Sequence, residues 1–203
     1  MPVFPGPPRQ AAIGVVQGGG FYVIGGRGPK TDDQGGIIDI EGQQELIWYK
    51  DAYCFRPDEN TEAIDDGQWE QIADIPNCVS AADAVETGQE HLLIFSGDNG
   101  RYRGQQLKDE HPGFPRNILA YHTITNTWRV LGQMPYGVVS TEVFQWGDRI
   151  AIPSGEIYPG KRSEYLLFAQ WVAEKTQFGF VNWSIVGGYF AILMGMGYFF
   201  SKR

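Results

Sequence analysis

The sequence predicts an all-β protein built from repeated four-stranded units and followed by one C-terminal transmembrane α-helix. Short alternating strands separated by glycine turns fill residues 1–170, and the 203-residue chain contains 27 glycines and 10 tyrosines, which is typical of turn-rich β proteins. A second observation is that these strands recur in the same order at a fixed spacing. A third is that no residue from Phe178 to Phe200 is charged, and a run of this length spans a bilayer as a helix.

The first unit is predicted from its turn signals. It holds two strands joined by a glycine turn, a glycine pair, a polar loop, a third strand, a tryptophan segment and a closing proline. In chain order these elements are Ala11–Val16, Gly18–Gly20, Phe21–Ile24, Gly25-Gly26, the loop to about Glu45, Ile47–Phe55, Trp69 and Pro76.

The same order recurs in a second unit, from Ser80–Val85 through His91–Phe95 and Ile118–His122 to Trp128 and Pro135. Three landmark pairs are each 59 residues apart, namely Trp69 and Trp128, Pro76 and Pro135, and Gly88 and Gly147. A third copy begins at Val138 and reaches Tyr165–Phe168, but no tryptophan segment follows it. The chain therefore contains an internal repeat.

Four short strands with a glycine pair after the second and a tryptophan on the last resemble the kelch blade of a β-propeller, whose period is about 50 residues. Long loops after the second strand explain the longer period here. We therefore predict a partial kelch β-propeller of about two and a half blades over residues 1–170. A β-sandwich with chance glycine doublets is the alternative. Because blades bury their faces only against other blades, we expect further blades upstream of Met1.

Net charge and cysteine content limit the classes of ligand that the chain is expected to bind. The net charge of -8 argues against a nucleic-acid partner, because binding to phosphate needs a basic face. An anionic sugar would instead need local cations. Cys54 and Cys78 are too few for a metal site or a disulfide framework, and we interpret them as two thiols within strands. No metal ion and no cofactor is predicted.

The best candidate site lies in the stretch from Gly147 to Ser163. After a predicted strand that ends at Ser154-Gly155, a loop presents Glu156, Lys161 and Arg162. A carboxylate and two cations on a loop held by a β scaffold suit recognition of a small polar ligand, although solvated surface loops have the same composition.

A second loop occupies the corresponding position in the preceding unit. It offers further candidate ligand-binding residues, with an ordinary solvated loop as the alternative interpretation. These candidates are Arg101, Arg103, His111 and Arg116.

The C-terminal run predicts a transmembrane helix over residues 178–200, after a linker at residues 171–177. Trp183 and Tyr198 are suited to the two membrane interfaces, and residues 201–203 form a basic end that the positive-inside tendency places in the cytoplasm. We thus expect a plasma (inner) membrane protein with its β units on the periplasmic or extracellular side. A buried core helix is the alternative.

Residues Phe4–Gln170 resemble the kelch-type mutarotases related to N-acetylneuraminate epimerase, in particular a cyclically permuted branch. The resemblance rests on the blades and on the run Gly155-Glu156-x-x-Pro159-Gly160-x-Arg162-Ser163, which is similar to that family's Gly-Glu-x-x-Pro-Gly-x-Arg-Ser/Thr element. It implies that Glu156 is the proton acceptor in sugar mutarotation and that Arg162 binds the carboxylate of an anionic sugar such as N-acetylneuraminate.

The segment Phe178–Arg203 resembles the first transmembrane helix of sodium/solute symporters, with its Asn-Trp-Ser entry and Gly-Tyr-x-x-Ser-Lys-Arg end. Together the two resemblances imply a sialic-acid mutarotase fused to a symporter, an isomerase only when the missing blades are present, whose anomer exchange is coupled to uptake. The alternative is a non-catalytic carbohydrate-binding or assembly propeller tethered to a membrane transporter.

Overall fold

A computed structural model describes residues 2–40, 42–61, 66–88, 90–103, 111–171 and 179–202. The chain divides into two compact units, Met1–Gln170 and Trp171–Arg203. The first unit is built from β-strands, and the second contains one α-helix. The predicted combination of β-sheets with a C-terminal apolar helix is confirmed.

The first unit contains seventeen strands within the described residues. They are β1 (Ile13–Gln17), β2 (Gly20–Ile24), β3 (Arg27–Pro29), β4 (Asp39–Ile40), β5 (Gln43–Gln44), β6 (Leu46–Trp48), β7 (Ala52–Pro57), β8 (Gly67–Ile72), β9 (Asp83–Glu86), β10 (His91–Phe95), β11 (Asn117–His122), β12 (Thr127–Gln133), β13 (Phe144–Trp146), β14 (Arg149–Pro153), β15 (Glu156–Tyr158), β16 (Lys161–Arg162) and β17 (Leu166–Gln170).

Three antiparallel sheets follow one another along the chain, and in each the strands pair in chain order. The first sheet is β1-β2-β7-β8, the second is β9-β10-β11-β12, and the third is β13-β14-β17. The remaining strands form the small ribbons β3-β6, β4-β5 and β15-β16 in the loops. This succession of short meanders is consistent with a partial propeller-like fold.

Two sequence-based assignments need correction. The third strand of the first sheet does not run from Ile47 to Phe55. Leu46–Trp48 pairs instead with Arg27–Pro29 in a separate ribbon, and the sheet strand is Ala52–Pro57. The β-forming residues on both sides of the break conceal it in the sequence. Cys78 also lies outside any strand, in the segment between β8 and β9, whereas Cys54 lies in β7.

The inner strands of the second sheet, β10 and β11, are largely buried on both faces. Because side chains alternate along a strand, β10 directs Leu92 and Ile94 into a core shared with the first sheet, and Leu93 and Phe95 into a core shared with the third sheet. The first core also contains Ile13, Tyr22, Ile24, Cys54, Ile75 and Tyr121, and the second also contains Met134, Val138, Ile150 and Ile152. The middle sheet therefore fixes the position of its two neighbours.

The same backbone hydrogen bonds join each sheet to the next. The amide of Ala81 donates to the carbonyl of Ala11 at 2.9 Å, and the amide of Ser140 donates to the carbonyl of Ala81 at 2.8 Å. All three residues have positive φ angles, from 51° to 54°, so the repeat extends to backbone conformation. A second pair of bonds repeats similarly, from Gly26 N to Val79 O (2.8 Å) and from Gly97 N to Val138 O (3.2 Å).

The outer faces of the two terminal sheets differ. Phe4 and Arg9 cover part of the first sheet, where the Arg9 guanidinium binds both carboxylate oxygens of Asp51 at 2.7 Å. On the third sheet, Phe144 and Phe168 flank Ala151 on one rung. Large exposed apolar side chains of β13 and β17 are Phe144, Trp146, Leu166 and Phe168. An apolar sheet face of this kind is typical of a surface that packs against another element.

The second unit contains α1 (Phe180–Ser201), a helix of 22 residues. At 1.5 Å per residue it is about 33 Å long. By length and composition alone it is suited to cross a membrane, as predicted for residues 178–200. Most of the predicted linker, residues 172–177, lies outside the described residues, as do Phe178 and Arg203.

The two cysteines should react very differently with alkylating agents. Both are free, but Cys54 is buried, and burial raises the pKa of its thiol. A raised pKa keeps the thiol protonated at pH 8, and the thiolate is the reactive form. We therefore expect iodoacetamide to label Cys78 in the folded protein and Cys54 only after denaturation, as read by mass spectrometry of peptides. Equal labelling of both in the folded state would contradict this.

Candidate functional site

All predicted site residues lie at one end of the three sheets, which we call the loop end. It comprises the described residues of three segments, 25–40 with 42–51, 96–103 with 111–116, and 154–165, where the second strand of each sheet leads towards the third. Each loop begins with two consecutive positive φ angles. These pairs are Gly25-Gly26, Ser96-Gly97 and Ser154-Gly155.

The run around Glu156 forms a small hairpin in which Glu156 and Arg162 are direct cross-strand partners of β15 and β16. Cross-strand partners point to the same face with Cβ atoms about 4.5–5.5 Å apart. Glu156 is half-buried and Arg162 is exposed. The Oε1 atom of Glu156 accepts a hydrogen bond from the amide of Gly160 in the turn. The hairpin thus places Glu156 and Arg162 opposite each other on neighbouring strands.

The base of this hairpin is anchored in the third sheet. Gly155 has a φ of 96°, and a Cβ there would come within 3.1 Å of Val138 and Thr141, so any other residue would be strained and crowded at this position. The buried Ser163 hydroxyl hydrogen bonds the hydroxyl of Tyr136 at 2.8 Å, and the Ser163 amide donates to Gly155 O at 2.8 Å. The motif residues around Glu156 therefore have clear structural roles.

His111 lies against this hairpin. Its ring is buried between Tyr102 and Tyr158, with centroid separations of 5.4 and 6.3 Å. Its Nδ1 accepts a hydrogen bond from Gly113 N at 3.0 Å, so the neutral ring carries its proton on Nε2. The structure thereby brings the second loop into contact with the strand that begins at Glu156.

The three other predicted residues face different surroundings. Arg101 lies over the ring of its neighbour Tyr102, 5.5 Å from the centroid. Arg103 reaches the first loop, where it donates to Gln44 O at 3.1 Å. Arg116 donates from Nε to Met134 O at 2.7 Å, which ties it to the segment after β12. Of these three arginines, Arg101 is the one next to the aromatic group that contains His111.

Sequence reasoning missed a cluster of three residues that joins the first loop to the second. The indole N–H of Trp48 donates to Asp98 Oδ2 at 3.2 Å, and Arg27 Nη1 lies 3.5 Å from the same oxygen. A signal was present in the sequence, because Arg27, Asp98 and Glu156 each follow directly after a Gly-Gly or Ser-Gly pair. The sequence repeat shows this only when the three units are aligned at those pairs.

The opposite end of the second sheet holds a different feature. A cavity of about 350 Å³ there is lined by His91 and His122, whose rings are 4.6 Å apart. His91 begins β10, whereas the loop end follows Phe95. These two histidines are therefore separate from the candidate site.

The hairpin can perform one simple kind of chemistry. One oxygen of the Glu156 carboxylate is held by a backbone amide, and among the described residues no hydrogen bond to its Oε2 atom is found. A carboxylate with an accessible oxygen can accept a proton from a sugar hydroxyl. Arg162, its partner on the neighbouring strand, can bind an anionic group through two parallel N–H donors.

Comparison with known proteins finds relatives that cover most of the chain. No protein-family model matches the chain. It is 27% identical over 187 residues to an N-acetylneuraminate epimerase of Yersinia pestis (strain Pestoides F). It is 29% identical over 186 residues to the Yersinia enterocolitica protein of that name, and 26% identical over 184 residues to that of Haemophilus influenzae (strain PittEE). The chain is similar to N-acetylneuraminate epimerases.

Each similarity covers 79% of this chain but only 43–44% of the epimerase. The chain thus spans less than half the length of these curated relatives. A solved structure described as "Structure of YjhT" superposes with a TM-score of 0.61 at 19% identity, covering 87% of this chain and 55% of that one. That likeness supports the fold. The symporter resemblance of segment Phe178–Arg203 is not shown by these comparisons and stays a prediction.

Proposed function

We propose that the chain is part of a sialic-acid mutarotase that equilibrates the anomers of N-acetylneuraminate, with Glu156 as the catalytic base. The observation that carries this proposal is the cross-strand pairing of Glu156 with Arg162 in a chain similar to N-acetylneuraminate epimerases. In N-acetylneuraminate the carboxylate is attached to the anomeric carbon itself. A base for the anomeric hydroxyl and a cation for the carboxylate must therefore be neighbours.

The proposed reaction needs only proton transfers. Glu156 removes the proton from the anomeric hydroxyl, the bond from the anomeric carbon to the ring oxygen breaks, and that oxygen takes a proton from water or an acid. Rotation in the open-chain ketone and the reverse steps close the ring on the other face. No atom is gained or lost, and no cofactor takes part.

Two residues next to the hairpin are proposed to contact the sugar. His111 carries its proton on Nε2 when neutral, so it offers a hydrogen-bond donor beside Tyr158. Arg101 adds a cation near the same aromatic group. Arg103 and Arg116 donate hydrogen bonds to backbone carbonyls. Their proposed role is to hold the loops of the site in position.

A non-catalytic carbohydrate-binding or assembly role is the second candidate. It is favoured by the hydrogen bond from Gly160 to Glu156, because a carboxylate that closes a turn has a sufficient structural reason to be there. The two functions differ in one measurable quantity, the rate of anomer exchange. Saturation-transfer NMR between the two anomers, with and without the full-length protein that contains this chain, tests the proposal. Binding without faster exchange would favour the second candidate.

The proposed setting is the plasma (inner) membrane. The length and composition of α1, with Lys202 after it, support a membrane anchor with a cytoplasmic C-terminus and β-sheets on the periplasmic or extracellular side. Attachment to a sodium/solute symporter is part of this proposal, as is completion of the propeller by further blades. We expect protease to cleave the loops of the first unit in spheroplasts, whose plasma membrane is intact and whose outer envelope is open. Cleavage only after the plasma membrane is also opened would reverse the orientation.

A further inference from the structure

Three charged residues occupy the same position in successive sheets. Arg27, Asp98 and Glu156 each follow a positive-φ pair. Each also forms an isolated backbone bridge to the segment that precedes the first strand of its own unit, with Gln10, Ser80 and Val139 as the respective partners. The three positions are therefore structurally equivalent.

The equivalent positions of the first two units are in contact. Arg27 and Asp98 are one unit apart, and their side chains approach within 3.5 Å. Glu156 is one unit beyond Asp98, and the same backbone hydrogen bonds that join the first two units also join the second and third. The repeat therefore places the three positions in succession along the loop end, with Glu156 at one end of this row and Arg27 at the other.

Trp48 holds the far end of this row in place. Its ring packs against the backbone of Gly100, where a Cβ would come within 2.4 Å of the indole, and the Asp98 carboxylate accepts from both the indole and the Gly100 amide. The Arg27 guanidinium lies 5.8 Å from the ring centroid, within the range of a cation–π contact. Arg103 lies over the same ring at 5.4 Å.

Arg27 and Asp98 still have hydrogen-bonding capacity. Their side chains are 32% and 22% exposed, and the 3.5 Å separation is long for a charge-assisted hydrogen bond. The Nε atom of Arg27 is buried and has no hydrogen-bond partner among the described protein atoms. A rigid donor beside a rigid acceptor matches two adjacent hydroxyl groups, one of which accepts while the other donates.

We propose that Arg27 and Asp98, fixed by Trp48, form a subsite for the polyhydroxylated side chain of the sugar acid. This rests on the proposed function. With the anomeric carbon and carboxylate held between Glu156 and Arg162, the remainder of the nine-carbon sugar extends along the row. The three-carbon tail, which carries adjacent hydroxyls, then meets Asp98 and Arg27. The subsite selects long sugar acids over shorter ones.

The test compares two ligands that differ only in the tail. N-acetylneuraminate is shortened to its seven-carbon analogue by periodate cleavage and reduction, and the affinity of both for the full-length protein is measured by calorimetry. Wild type should bind the nine-carbon sugar more tightly. Arg27→Gln should weaken nine-carbon binding about 10–100-fold, as expected for hydrogen bonds to a charged group, and leave seven-carbon binding unchanged.

Two further variants sharpen the result. Arg27→Lys keeps the charge but loses the planar fork, so it should lose much of the same selectivity. Arg149→Gln is the matched control, because Arg149 also lies over an aromatic ring, that of Phe168 at 5.8 Å, but outside the row. The subsite would be overturned if Arg27→Gln weakened the binding of both sugars equally or the binding of neither. It would also be overturned if the wild-type protein bound the two sugars with equal affinity. A wild-type protein that binds neither sugar would overturn the proposed function itself.

Discussion

Anomer exchange of N-acetylneuraminate is expected to slow about 10²–10⁴-fold in the Glu156→Gln variant, which is the usual contribution of a positioned general base. Glutamine has the same shape and retains an oxygen that can accept from the Gly160 amide. The hairpin should therefore keep its conformation, and the affinity for the sugar should change little. Saturation-transfer NMR gives the exchange rate, and a titration in the same tube gives the affinity.

The matched control is Glu164→Gln, which removes a charge from an exposed residue two positions beyond Arg162. Exchange in this control should equal that of the wild type. If exchange in Glu156→Gln is also unchanged, Glu156 is not the base, and the carbohydrate-binding role becomes the better description. A loss of affinity in place of a loss of rate would lead to the same conclusion.

The largest expected loss of stability follows from Gly25→Ala. Gly25 has a φ of 58°, and a Cβ there would come within 2.4 Å of the carbonyl oxygen of Val79. That carbonyl accepts the Gly26 amide at the joint between the first and second sheets. We expect a conformational cost of about 1–2 kcal/mol and a further cost of about 1–3 kcal/mol from overpacking.

Gly147→Ala separates these two contributions. Gly147 has a similar φ of 63°, but a Cβ there would have no neighbour within 4 Å. The control should therefore show the conformational cost alone. Thermal unfolding of both variants in detergent, followed by tryptophan fluorescence, measures the difference. Equal losses of stability in the two variants would show that the backbone around Val79 can move away from the added methyl group without a further loss of stability.

The sheets were predictable because their signals are local. Alternating apolar residues, glycine turns and a tryptophan near the end, Trp69 or Trp128, are each contained within one unit. The strands β9 to β12 lie close to where the sequence places them. The break between Leu46–Trp48 and Ala52–Pro57 was not predictable. It depends on pairing with Arg27–Pro29, which a run of β-forming residues does not reveal.

The candidate site was predictable only in part, for a related reason. Glu156 and Arg162 are close in sequence, so a short hairpin brings them together. The cluster of Arg27, Trp48 and Asp98 spans two units. Its members meet because one sheet packs against the next, and no local pattern encodes such a contact.

The backbone bonds between sheets also bear on how such proteins evolve. Ala81 donates to the unit before it and accepts from the unit after it. A recombination event that duplicates the 59-residue stretch from Ala81 to Val139 would therefore recreate an equivalent joint at both of its boundaries. Lineages of this fold can thus gain or lose a whole unit without evolving a new interface.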